Sequence, residues 1–120
     1  MTASVRPNLL FILTTDPRGS ARPAEAIRVA AGVAAWKKVD ITVYLHGPAI
    51  RALGEWVDDL KDEDNYLRYL PLLADARRPI LVQAGAPELE ELGESAHTFS
   101  PVDEGRLAEL AAQSTAVLRF

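Results

Sequence analysis

The chain contains no cysteine. That excludes disulfides, thiolate zinc sites, iron–sulfur ligation and any cysteine nucleophile within these residues. Only two histidines are present, His46 and His97, and they share no metal-ligand spacing, so no metal is expected. Long apolar runs are missing as well. The first is Leu9 to Leu13, and the Ala-rich stretch Val29 to Trp36 is the longest elsewhere; neither suits a secretory h-region or a membrane span. A cytoplasmic protein with no membrane partner is the expectation. Basic charge is also in short supply. Thirteen Lys and Arg against seventeen Asp and Glu give a net charge of −4, which argues against binding a phosphate backbone and hence against nucleic acid.

What is present suits one folded unit. The 120 residues are 48% hydrophobic and 25% charged, the balance of a compact domain with a core of its own. We read residues 1–120 as a single domain, with no linker, repeat or low-complexity tract.

Asn8 to Thr15 is continuously apolar until its polar end, which reads as a strand buried on both faces. A turn-rich stretch follows, and Pro23 fits the first turn of a helix running to about Lys38. Ile27, Ala31 and Ala34 line one face of that helix, Val29, Val33 and Trp36 a neighbouring stripe, and its alanines suit close packing on a sheet. Asp40 to His46 alternates β-branched residues as a second strand, ended by Gly47-Pro48. A helix is expected from about Pro48 to Leu60, then an exposed acidic stretch from Asp58 to Asn65. Tyr66 to Arg78 has helical spacing with Pro71 inside it, either as a break or as a new start. Pro79 to Ala84 reads as the third strand, Pro87 to Gly93 as a short helix, and His97 to Phe99 as a short fourth strand. Ser100 fits an N-cap with Pro101 at the first helical position and acids in the next turn. Thr115 to Phe120 closes the pattern as a strand.

Strands alternating with helices imply a three-layer α/β/α fold, with a mostly parallel sheet of about five strands and a flavodoxin-like general architecture. In such sheets ligands bind beyond the carboxyl ends of the strands. The candidate ligand-binding residues are therefore Thr14, Thr15, Asp16, Arg18 and Ser20 after the first strand, His46 after the second, and Gln83, Ala84 and Gly85 after the third. The first loop suits a small anion through Arg18, its hydroxyls and its amides. It lacks the endings of a Walker A loop and of a dinucleotide loop, and it fits equally a plain connection whose polar groups satisfy local backbone. His46 has the chemistry of an acid–base group, or that of a hydrogen-bonded loop residue. The acidic residues Asp58, Asp59, Asp62, Glu63 and Asp64 lack the Gly and Glu positions of an EF-hand and read as a solvated face. Trp36, Trp56, Tyr66 and Tyr69 read as core or interface anchors.

The order Leu9-Leu-Phe-Ile-Leu-Thr-Thr-Asp-Pro-Arg-Gly19, the Ala-rich helix, Ile41-Thr-Val-Tyr-Leu-His-Gly47, the small-residue loop after the third strand and the closing Ala116-Val-Leu-Arg-Phe120 together resemble the DsrE/DsrF-like proteins. The resemblance implies a small α/β/α domain assembling into homo-oligomers, trimers or hexamers, or with related DsrE-like subunits. It also implies, in many members, relay of persulfide sulfur through a cysteine just after the third strand. Ala84 matches that position here, and alanine has no lone pair to accept sulfur. A non-catalytic DsrE-like subunit or binding module is therefore expected, with no cofactor. The alternative is a protein or enzyme that binds a small-anion or nucleotide-like ligand at the strand ends. An oligomer would also cover apolar surface, and Trp56 with its neighbours is a candidate for that surface.

Overall fold

The first apolar run becomes the inner strand β1 (Asn8–Leu13) of a computed structural model, which describes residues 7–54, 59–74, 79–92, 95 and 97–120. Leu10, Phe11 and Leu13 are at most 1% exposed and Ile12 is 4% exposed, so both faces of the strand are shielded and no polar alternation is needed. On one side β1 pairs in parallel with β2 (Asp40–Leu45), from Asn8 opposite Asp40 to Leu13 opposite Leu45. On its other side lies β5 (Ala116–Arg119), with Leu9 opposite Ala116 and Ile12 opposite Arg119. β3 (Ile80–Gln83) and β4 (Phe99–Val102) extend the sheet beyond β2, giving the order β4-β3-β2-β1-β5 with every pairing parallel. This is the expected α/β, flavodoxin-like arrangement.

The two faces of the sheet are covered unequally. Phe11, Leu13, Val43, Leu45, Ile80 and Val82 point into the main core. Over them lie α1 (Arg22–Ala34), a 3₁₀ segment (Gly47–Leu53), α2 (Glu63–Leu73) and the single turn α3 (Glu88–Glu91). In α1, Ala24, Ala26, Ala30 and Ala31 are all buried beside Ile27, and their short side chains let the helix lie close to the strands. The opposite face is smaller. Leu10, Ile12 and Tyr44 pack there under α4 (Glu104–Gln113), through Leu107, Leu110 and Ala111. Phe120 returns to β1, its ring stacked on Phe11 at 5.7 Å between centroids.

Several elements depart from the sequence reading. α1 stops at Ala34 rather than near Lys38, and Lys37 takes a left-handed conformation (φ 60°) that no helix continues through. Of its outer stripe, Val33 packs against the core while Val29 is 37% and Trp36 69% exposed, so Trp36 is no core anchor; Tyr66 is one, at 1%. Trp56, Asp58 and the stretch 75–78 lie outside the described residues. The helix expected from Pro48 is a 3₁₀ segment, after which Gly54 turns extended (ψ 156°). Pro71 lies inside α2 in its last turn, where its missing N–H interrupts little helix. Ser100 and Pro101 do not start α4: they belong to β4, paired with Leu81 and Val82. β4 is an edge strand, which tolerates a residue without an N–H, and Asp103 caps α4 instead, its carboxylate accepting the Arg106 N–H at 2.8 Å. Among the described residues no helix is long and apolar enough to cross a membrane.

Candidate functional site

Parallel strands place Thr14, His46 and Ala84, each one residue past β1, β2 or β3, at the same edge of the sheet. The loop after β1 is knitted by its own charges. Asp16 accepts the Arg18 backbone N–H at 3.0 Å and the Arg18 guanidinium at 3.0 Å. Arg51 reaches the same carboxylate at 3.3 Å and donates to Glu91 at 3.1 Å. The Arg18 hydrogen bond holds the Asp16 carboxyl below the usual carboxylate range, against the opposing effect of burial, and Asp16 in turn raises the guanidinium. Ser20 Oγ accepts the Arg22 N–H at 3.1 Å at the entry to α1, and Thr15 sits half-buried between. Arg18, Asp16 and Ser20 thus have local partners. A hollow of about 260 Å³ beside them, lined by Arg18, Arg51, Asp59 and Glu91, carries both signs of charge.

The loops after β2 and β3 are joined to each other. Gly47 turns with φ 53°, and its N–H donates to Gln83 Oε1 at 3.0 Å. Ala84 is exposed, its own N–H donating to Val102 of β4 at 3.0 Å, and Gly85 reverses the chain with φ 75°. A Cβ at Gly85 would meet nothing within 4 Å, so backbone conformation and not crowding calls for glycine. This is a tight, open turn.

His46 faces the side of the sheet that α4 covers. Alternation along β2 puts Tyr44 on the same face, and its hydroxyl lies 3.3 Å from His46 Nδ1. Burial, aided by Glu104, pushes the Tyr44 phenol up, so it keeps its proton at neutral pH. The ring Nδ1 accepts from the phenol in one tautomer of His46 and donates to it in the other. Thr14, Glu104 and Arg119 join these two around a hollow of about 380 Å³ walled by Ile12, Leu107, Ala108 and Ala111.

The structure therefore divides the expected site. Thr14 and His46 share the hollow under α4, Gln83 braces its neighbouring loop, and Asp16 and Arg18 flank a separate hollow on the other side. His97 precedes β4 and so lies at the amino ends of the strands, where burial lowers its pKa. Tyr44, Glu104 and Arg119 were not among the expected residues. Two-residue spacing was a usable signal for Tyr44 beside His46; Arg119 depends on β5 lying next to β1. Among the described residues no group of three His, Asp or Glu side chains is placed to hold a metal ion.

Comparison with known proteins bears on the whole chain. A family model described as the DsrE/DsrF-like family matches residues 8–120. Among solved structures, the crystal structure of the ychN protein from E. coli superposes with a TM-score of 0.75 at 16% identity, covering 95% of this chain and 99% of that one. At that identity the likeness establishes the shared fold. No curated protein matches the chain.

Proposed function

The chain belongs to the DsrE/DsrF-like family, and on that premise we propose that it is a non-catalytic member, acting as a subunit or binding module of a homo- or hetero-oligomer and unable to carry persulfide itself. Ala84 is the observation that supports this reading. It stands in the exposed turn after β3, the position that the family resemblance gives to the sulfur-accepting cysteine, and no other residue of the chain is a cysteine. A persulfide forms when a thiolate lone pair attacks sulfur, and a methyl group has none. The turn is nonetheless built, with Gly85 and the Ala84-to-Val102 hydrogen bond in place. A fold kept without its chemistry suits a supporting role.

Native mass spectrometry of the tagged protein from its own host tests the proposal. An oligomer, homomeric or with a cysteine-bearing sister chain, is the expected result. A protein that stays monomeric at micromolar concentration, alone and from its host, overturns it.

A further inference from the structure

The hollows on this protein differ in the chemistry of their walls. Beside α3, Arg18 and Arg51 are already held by Asp16 and Glu91. Along the start of α2, Arg28 pairs with Glu25, and Lys61 and Arg68 face Asp62 and Asp64 in an open, mixed-charge dip. The hollow under α4 is unlike either. Its floor and wall are apolar, from Ile12 of β1 and Leu107, Ala108 and Ala111 of α4. The two alanines leave a flat surface where longer side chains would fill the space between helix and sheet.

Of its five polar side chains, Thr14 donates to the Phe120 carbonyl and Tyr44 and His46 share a hydrogen bond, which leaves the charges of Glu104 and Arg119. Asp16, Glu25, Glu91 and Glu109 each pair with an arginine, whereas Arg119 and Glu104 have no ion-pair partner among the described residues. The Tyr44 hydroxyl and the His46 ring form a hydrogen-bonded pair at the same rim. The volume, about 380 Å³, lies within the range of small-molecule sites, roughly 300–1,000 Å³. Topology agrees: β2, β3 and β4 are laid down in turn on one side of β1, and β5 on the other, so the strand order reverses beside this hollow. Such reversals, at the carboxyl ends of strands, are where open α/β sheets take ligands.

We propose that the hollow between α4 and the carboxyl ends of β1, β2 and β5 binds a small monoanion with a flat apolar body and one N–H or O–H donor, of the class of an indole or hydroxyaryl carboxylate. Arg119 takes the carboxylate, for which a planar guanidinium is well matched. Ile12, Leu107 and the two alanines hold the ring, and Glu104 accepts from the donor. A dianion is disfavoured by the Glu104 carboxylate, and a plain hydrocarbon leaves both charges unanswered. The site uses no atom of Ala84, and all of its named residues belong to one chain.

Indole-3-acetate serves as probe in a ¹H–¹⁵N NMR titration, with indole-3-acetamide as its uncharged counterpart. We expect saturable shifts at residues 12–14, 44–47 and 104–111. Arg119→Gln weakens the acetate roughly tenfold, the scale of one charge-assisted contact, and leaves the acetamide unchanged. Ala111→Leu fills the hollow and removes both; Ala108→Leu, at an exposed position, serves if that variant does not fold. Arg28→Gln, remote from the hollow, binds as the parent does. No saturable shift up to several millimolar probe, shifts mapping to another surface, or parental affinity in Arg119→Gln or in the filled variant each overturn the proposal.

Discussion

Gln83 Oε1 accepts the backbone N–H of Gly47 at 3.0 Å, so a side chain at the end of β3 fixes the loop that leaves β2. Gln83→Ala strands that N–H in a half-buried position and is expected to cost about 1 kcal/mol. Gln83→Glu keeps an acceptor there and recovers most of the loss. Urea midpoints at constant m-value measure both.

Gly47 and Gly85 give a second comparison. Each holds a positive φ, 53° and 75°, and a Cβ at either would meet nothing within 4 Å. Substitution by alanine therefore carries only the conformational penalty, about 1 kcal/mol at each site. A loss several times larger in thermal melts would show that something else crowds these turns.

Asp103 and Ser100 separate two ways of starting α4. Asp103→Ala removes the carboxylate that accepts the Arg106 N–H and is expected to cost about 1 kcal/mol. Ser100→Ala touches a strand residue and stays within about 0.5 kcal/mol. The reverse order in denaturation midpoints would move the helix start to Ser100.

Tyr66 makes stability depend on alkaline pH. It is 1% exposed, its hydroxyl finds no partner among the described residues, and burial raises the phenol well above its ordinary value. A folded-state pKa above the unfolded one gives a contribution fully present below about pH 10 and lost as pH rises beyond it. Melting temperature should therefore fall between pH 9 and pH 11, and fall less in Tyr66→Phe. At neutral pH that variant is expected to be as stable as the parent, since it removes an unsatisfied hydroxyl.

Asp16 acts with the opposite sign. Its carboxyl is held low by the Arg18 hydrogen bond, so its contribution is present above the unfolded value near pH 4 and fades as pH falls through the folded one. The group is 34% exposed, and the pairs are of the surface kind, so Asp16→Asn should cost within about 1 kcal/mol at pH 7. The difference between variant and parent should shrink toward pH 3.

Much of this fold was legible where a local pattern has one reading. The unbroken run Leu9 to Leu13 demands cover on both faces, and the alanines of α1 demand close approach to a sheet; the structure places both as expected. Local ambiguity defeated the start of α4, where Ser-Pro and Asp both fit a helix start, and pairing with β3 drew Ser100 and Pro101 into the sheet. The candidate site was legible only by halves. Loop positions follow from the ends of strands, so Thr14 and His46 were within reach. That Arg119 joins them rests on β5 lying beside β1, a long-range choice that no window of sequence expresses.

That same choice has a kinetic side. Asn8 N–H donates to Thr115 Oγ1 across 107 positions of chain, and the ladder from Leu9 to Ile12 pairs with Ala116 to Arg119. Nearly the whole domain must be spanned before one edge of β1 is closed. Loop-closure entropy is met first and rewarded last, which points to slow folding for a chain of this length. Until β5 arrives, Leu10 and Phe11 border an open strand edge, the state in which this protein is most exposed to pairing with another chain.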